Sequence, residues 1–351
     1  MDDLLMKIII PVLGFGKSGG YRVLSNLSNY LIKNGCSVTF VAPEYSPEPY
    51  YPTSARVISV ASRFENIKIL RVVFAALSIF SQILKFDEGC VIANHNLTSF
   101  IVVILPRRFR KYYYVQAYEV NLVSGLFSKF FAYLSYFLPL RKIVNSKKIL
   151  PERVKNIVGC VPAGIDFNVF YESSEIFSKS KTIRIGCIGR KERYKGTFEI
   201  IEAFSEIAKK YDVILQVAIY LPKCDFNAND KIMYRPITND TELSDFYKSN
   251  DIIVATGLIE YGAFHYPCAE GMAVGRLVIS NYSPLTDRLD AVNPQLRLER
   301  VNKKSIVEAL DFAINMNSSK QLEEIAINNN VIRQYSWDCV GLQFLDIISK
   351  S

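Results

Sequence analysis

Arg190 and Lys195 flank a short loop in IGCIGRKERYKGTFEIIEAF, directly after a β-branched run and before a helical pattern. Two cations at the C-terminal end of a strand, in the crevice where open α/β sheets bind ligands, suit a diphosphate. Further on, DIIVA leads through TGLIEYGAFHYPCAEGMAVG into another helix. Pro267 fits its first turn, which sets Glu270 near the helix start, where a carboxylate can accept hydrogen bonds from sugar hydroxyls. Near the N-terminus, Gly14, Gly16 and Gly19 of GFGKSGG fit G-x-G-x-x-G between a strand and a helix. Such a loop brings backbone N–H groups and a positive helix end to an anion. With Glu44 as a ribose-binding acid, it would also suit an NAD-dependent dehydrogenase, and as a plain tight turn it would do no chemistry.

The chain holds no Asp-x-Asp, no H-E-x-x-H and no Cys/His cluster, so neither a metal nor another cofactor is expected. Its seven cysteines are scattered and never spaced C-x-x-C, which reads as reduced core residues. Only two histidines exist, His95 in ANHNL at a strand end and His265.

Apolar β-branched runs alternate with amphipathic helical patterns throughout, the signature of βαβ units and parallel sheets, so the fold class is α/β. Strands are expected near Lys7–Leu13, Ser37–Ala42, Arg56–Val60, Cys90–Ala93, Tyr112–Gln116, Ile143–Asn145 and Ile157–Val161. A second series then starts at Ile183–Ile188 and continues with Val213–Tyr220, Ile232–Arg235, Asp251–Ala255 and Arg276–Ser280. The expected organisation is an N-terminal Rossmann-like domain over 1–170, a linker over 171–182, a C-terminal Rossmann-like domain over 183–330 and a final helical segment over 331–351 that crosses back toward the first domain. A length of 351 residues agrees with two domains, since single cores stop growing beyond roughly 250.

Half of the residues are apolar and 22% are charged, which excludes a disordered chain. The net charge of +8 lies entirely in residues 1–175, and 101–150 holds nine Lys/Arg against Glu119 alone. Interleaved with these are Phe109, Tyr112–Tyr114, Phe127, Phe130, Phe131, Tyr133, Tyr136 and Phe137. Basic and aromatic side chains together suit an anionic membrane surface, whereas no helix-turn-helix, zinc-finger or RNP-type signature points to nucleic acid. No apolar stretch reaches the ~20 residues of a spanning helix, and the acidic MDDLLMK start lacks the features of a secretory signal. The expected location is the cytoplasm, peripherally on the inner face of the cell membrane.

Four blocks, SGGYRVLSNLSNYLIKNGCSVTFVAP, VPAGIDFNVF, IGCIGRKERYKGTFEIIEAF and YKSNDIIVA with FHYPCAEGMAVGRLVIS, resemble in order and spacing the retaining GT-B glycosyltransferases of family 4 along nearly the whole chain. YYYVQAYE also resembles a subgroup that includes polysaccharide rhamnosyltransferases. The resemblance implies GT-B architecture, two Rossmann-like domains facing across a cleft, and transfer of a sugar from a nucleotide-diphosphate sugar donor with retention. It implies a saccharide acceptor, lipid-linked, in bacterial surface polysaccharide synthesis such as O-antigen or capsule. Arg190 and Lys195 would hold the donor diphosphate and act in catalysis, Glu270 would hold the ribose, and Gly19, Gly20, Phe264 and His265 would complete the donor site. His95, Gln116, Glu119 and Glu260 are candidate acceptor or donor-sugar contacts.

Two departures stand out. Gly262 occupies the place of a family glutamate, with Glu260 two residues earlier as the candidate substitute, and Gln116 stands where a histidine is common. Gln cannot carry a proton but can donate a hydrogen bond. These departures leave open a catalytically lapsed GT-B scaffold protein.

Overall fold

The computed structural model describes residues 6–63, 67–172, 182–222, 230–259, 262–287 and 293–350. Most of the expected linker, 173–181, and the candidate Glu260 lie outside the described residues. The chain forms two compact units, Met1–Gly164 with Trp337–Ser351, and Ile165–Ser336.

The first unit is built on a seven-stranded parallel sheet in the order β3-β2-β1-β4-β5-β6-β7. Its strands are β1 (Lys7–Pro11), β2 (Ser37–Pro43), β3 (Arg56–Val60), β4 (Gly89–Ala93), β5 (Phe109–Val115), β6 (Arg141–Val144) and β7 (Ile157–Cys160). Continuous apolar runs such as Ile8–Ile10 and Cys90–Ala93 are buried because a parallel sheet is covered on both faces. The crossovers include α1 (Gly19–Lys33), α2 (Lys68–Ile83), α3 (Asn96–Val103) and α4 (Leu126–Ser135).

The second unit carries a five-stranded parallel sheet, β10-β9-β8-β11-β12, formed by β8 (Ile183–Ile188), β9 (Val213–Ala218), β10 (Ile232–Arg235), β11 (Ile252–Ala255) and β12 (Leu277–Ser280). Strand periodicity splits β11 between two cores. Ile252 and Val254 join the residues of α5 (Thr197–Ile207) and α8 (Lys303–Asn315), while Ile253 and Ala255 join α7 (Tyr266–Ala273), α6 (Asp240–Lys248) and Ile332 of α9 (Ser318–Arg333).

The first unit ends at Gly164 rather than at 170, because Ile165 and Phe170 are buried in the core around α7 and Ile165 pairs with Ser336. The final segment likewise divides. Residues up to Arg333 complete α9, and α10 (Trp337–Ser349) belongs to the first unit, where Phe344 meets Tyr114 edge-on at 5.3 Å.

Candidate functional site

In an open parallel sheet, strands that leave a common point in opposite directions part at their C-terminal ends and open a crevice there. In the second unit this point lies between β8 and β11. After β8 the chain passes Gly189, where an added Cβ would strike the carbonyl of Tyr220. Arg190 N–H then donates to Thr197 Oγ1 at 2.9 Å, a short 3-10 turn covers Arg193–Lys195, and Gly196 reverses the chain into α5 at φ +77°. That left-handed conformation is one an L side chain resists, so the loop depends on glycine there.

The loop sorts its cations. Arg193 is engaged by Glu199 at 2.9 Å and lies over the Phe198 ring. Arg190 is exposed and has no ion-pair partner among the described residues. Lys195 Nζ stands 4.9 Å from the Tyr194 ring and 5.9 Å from the Tyr282 ring. Arg190, Lys195, Thr256, His265 and Pro267 line one pocket at this end of the sheet.

The opposite wall comes from the segment after β11 and its tie to the segment after β12. Asn281 accepts from Gly257 N–H at 3.0 Å and donates to Gly257 O at 2.7 Å, and Leu258 N–H donates to Tyr194 O at 2.7 Å. A side chain at Gly257 would collide with the Tyr282 phenol, so glycine there is what lets Tyr282 reach under the pocket. His265 lies against that ring, with centroids 4.2 Å apart and planes at 30°. Its Nδ1 and the Thr256 hydroxyl are both buried with no hydrogen-bond partner. Burial first, and the Lys195 and Arg190 charges after it, hold the His265 imidazole well below its usual pKa.

Phe264 packs edge-on against Tyr266 at 5.5 Å and faces Tyr335 at 5.9 Å. Glu270 is only 1% exposed, and its Oε2 accepts from the Tyr247 hydroxyl at 2.8 Å. It lies inside α7 rather than on the pocket lining.

The first unit assembles its own group of polar residues at the C-terminal ends of β1, β4 and β5. Gly20 approaches Gln116, whose Oε1 would stand 3.5 Å from an added Cβ, and Gly19 begins α1. Asn145 donates to the Gln116 carbonyl. His95 caps α3: its Nδ1 accepts from Leu97 N–H at 3.2 Å, and Thr98 Oγ1 accepts from His95 N–H at 3.1 Å. That acceptor role leaves Nε2 to carry the proton of the neutral ring, 3.9 Å from Glu119 Oε2. Glu119 is nearly buried. Its Oε1 accepts from the Tyr113 hydroxyl and its Oε2 from Asn96 N–H, both at 2.6 Å. Burial pushes its carboxyl up to about 7, against the pull of those two bonds, and pushes His95 down to about 4.

In the GFGKSGG loop, Phe15 turns inward at 7% exposure onto Phe40, and α1 does not begin until Gly19. The basic and aromatic stretch divides. Phe109, Tyr112–Tyr114 and Tyr136 are core, and Lys142 is buried with its Nζ donating to Leu138 and Leu140 carbonyls. Leu126, Phe127 and Phe130 of α4 are instead 89%, 76% and 58% exposed.

The sequence does not mark Tyr282, Thr256, Tyr247 or Tyr113 as site residues, although Tyr113 falls in its basic and aromatic stretch. Each lies in or just after a run that reads as core or as plain helix, and only tertiary packing turns its polar atom toward a site.

No protein-family model matches the sequence, and no curated protein matches it. Among solved structures, sucrose-phosphate synthase from Thermosynechococcus elongatus is similar with a TM-score of 0.77 at 14% identity, covering 98% of each chain. Anabaena HepE in complex with UDP and glucose is similar at 0.74 and 12% identity, over 99% of this chain and 100% of that one. WaaG, a glycosyltransferase involved in lipopolysaccharide biosynthesis, gives 0.69 and 14% over 98% and 100%. At these identities the likeness establishes the fold: this is an α/β protein of GT-B architecture, with two Rossmann-like domains.

Proposed function

We propose that the chain is a retaining, metal-independent glycosyltransferase of family 4 that takes its sugar from a nucleotide-diphosphate donor. The observation that carries this reading is the pocket between β8 and β11, where Arg190 and Lys195 stand beside two unpartnered polar atoms. As the bond between the anomeric carbon and the diphosphate oxygen breaks, its electron pair leaves with the diphosphate. The two cations neutralise the charge that develops there. The acceptor hydroxyl oxygen forms the new bond, and its proton departs to solvent or to the leaving phosphoryl oxygen. Glu270 serves the nucleotide ribose once Tyr247 shares or yields its oxygen, while Gln116, His95 and Glu119 contact the acceptor or the donor sugar. HepE, in complex with UDP and glucose, supports a nucleotide-sugar donor by analogy of fold.

The acceptor we propose is a lipid-linked saccharide in surface polysaccharide synthesis such as O-antigen or capsule. WaaG, of the same fold, is involved in lipopolysaccharide biosynthesis. The exposed apolar face of α4, with Lys129 on the helix and Arg153 over the Tyr133 ring, suits an anionic membrane surface.

Thermal-shift screening against UDP, GDP, dTDP, ADP and NAD tests the donor, because a ligand of the folded state raises its apparent stability. A shift with one nucleoside diphosphate is expected, and a shift with NAD alone would sink the reading in favour of a dehydrogenase. Arg190→Ala and Lys195→Ala should each lower turnover by about 100-fold or more while the fold survives, and EDTA should leave turnover unchanged. Nucleotide-sugar binding without turnover on any acceptor would point to a scaffold protein.

A further inference from the structure

His265 is the feature of the pocket that the diphosphate reading leaves unused. Its ring lies on Tyr282, the same ring that Lys195 Nζ approaches at 5.9 Å, so one aromatic ring serves both an imidazole and an ammonium. Its backbone is fixed, because His265 N–H donates to Ser283 O at 3.1 Å and the residue is the N-cap of α7. The side chain does not cap the helix, and its buried Nδ1 has no partner.

Resting on the diphosphate reading, we propose that His265 takes up a proton when a diphosphate occupies the pocket beside Arg190 and Lys195, which makes nucleotide binding proton-linked. Among the described residues, the charges that act on the ring are those of Lys195 and Arg190 from the loop after β8, and both disfavour the imidazolium. From the segment after β12 come the Tyr282 phenol and Asp287, whose carboxylate accepts from Ser283 Oγ at 2.5 Å. On its own helix, Cys268 is pushed up to about 11 by burial and stays a thiol, and Glu270 is held by Tyr247. Among the described residues, no carboxylate stands beside those two cations as a cause of the shift of the ring.

A bound diphosphate changes both terms. Its negative charge offsets the two cations, and its oxygens give a protonated imidazole an acceptor. The imidazolium also stacks favourably on Tyr282. A group that binds its proton more tightly in the complex makes affinity rise as pH falls, by up to about tenfold for each unit by which the bound pKa exceeds the free one.

The test uses the full chain and UDP, GDP, dTDP and ADP as probes. Histidine ring carbons are labelled and followed by NMR from about pH 5.5 to 8.5, without nucleotide and with whichever probe binds. The chain has only two histidines, so His265→Asn removes one resonance and His95→Asn retains it, and either variant alone makes the assignment. The expected result is a His265 titration midpoint at least about one unit higher in the complex. Wild-type affinity should also strengthen toward low pH more steeply than that of His265→Asn, a comparison in which the nucleotide's own phosphate titration cancels. An unchanged midpoint, or equal pH dependence in wild type and variant, overturns the inference while leaving the donor pocket standing. If no nucleoside diphosphate binds at any pH, the donor reading itself fails and this inference with it.

Discussion

Glu119 and His95 sit 3.9 Å apart, and burial shifts each toward its neutral form. Their consequences for stability have opposite signs. Glu119 has its folded pKa raised from 4.5 to about 7, so the folded state binds the proton more tightly than the unfolded chain. Its stabilisation is complete below about pH 4.5 and is lost as pH rises through 7, amounting to about 3 kcal/mol at most. His95 has its folded pKa lowered from 6.5 to about 4, so the unfolded chain binds the proton more tightly. That contribution is present above pH 6.5 and is lost as pH falls toward 4. The imidazole is 43% exposed against 9% for the carboxyl, so solvent weakens the histidine term and the carboxyl governs the wild-type sign. Glu119→Gln can keep its carbonyl on Asn96 N–H and its amide on the Tyr113 oxygen. In that variant the urea midpoint should rise between pH 4 and 6.5. In His95→Asn it should fall between pH 4.5 and 7. Parallel profiles for both variants and wild type would show that neither group is held as described.

At the scale of elements, α4 is the outlier. Of its ten residues only Ala132 and Ser135 are buried, and Gly125 begins the helix without a side-chain cap. A helix that leaves Leu126, Phe127 and Phe130 in water has an unmet apolar face, and Lys129 on the same helix would meet anionic headgroups. Phe127→Glu with Phe130→Glu should reduce co-sedimentation with phosphatidylglycerol vesicles at least fivefold, by the order of two lost aromatic insertions and added like-charge repulsion, roughly 1 kcal/mol or more. Thermal stability should shift little, since exposed positions away from special features change stability by about 0.5 kcal/mol or less. Unchanged sedimentation would remove α4 from membrane contact.

The strands were legible in the sequence. Arg56–Val60, Ile183–Ile188 and Ile232–Arg235 have the bounds their apolar runs gave, and most others differ by one to three residues at an end. β-branched runs between turn residues leave little choice in a parallel sheet. The fate of the aromatics was not legible. Tyr112–Tyr114 alternate across β5 and are buried on both of its faces, whereas Phe127 and Phe130 follow helical spacing and face outward, yet composition treats all of them alike. The site divides in the same way. A cation pair after a strand announces its own chemistry, so Arg190 and Lys195 stood out. The Tyr113–Glu119 bond and the Tyr282 platform join residues that only the fold brings together.

At the scale of the whole molecule, the last helix ties the end of the chain to its beginning. The second unit is a continuous segment, Ile165–Ser336, but the first is closed only when α10 returns to it. Gly341 lets Tyr30 of α1 lie directly on the helix backbone, Ile347 fills the space over Gly159, and Arg110 donates to Ile348 O at 2.7 Å. Phe344 is the largest fully buried side chain of α10. Replacing it with alanine removes its packing on Tyr114 and leaves a cavity, a change that costs about 3–5 kcal/mol in buried sites. Because Phe344 belongs to one unit, that cost should appear there alone. Hydrogen exchange of Phe344→Ala should accelerate across β5, β6 and α1 while β8, β9 and β11 keep wild-type protection. Uniform acceleration through both units would instead show that they unfold as one cooperative body.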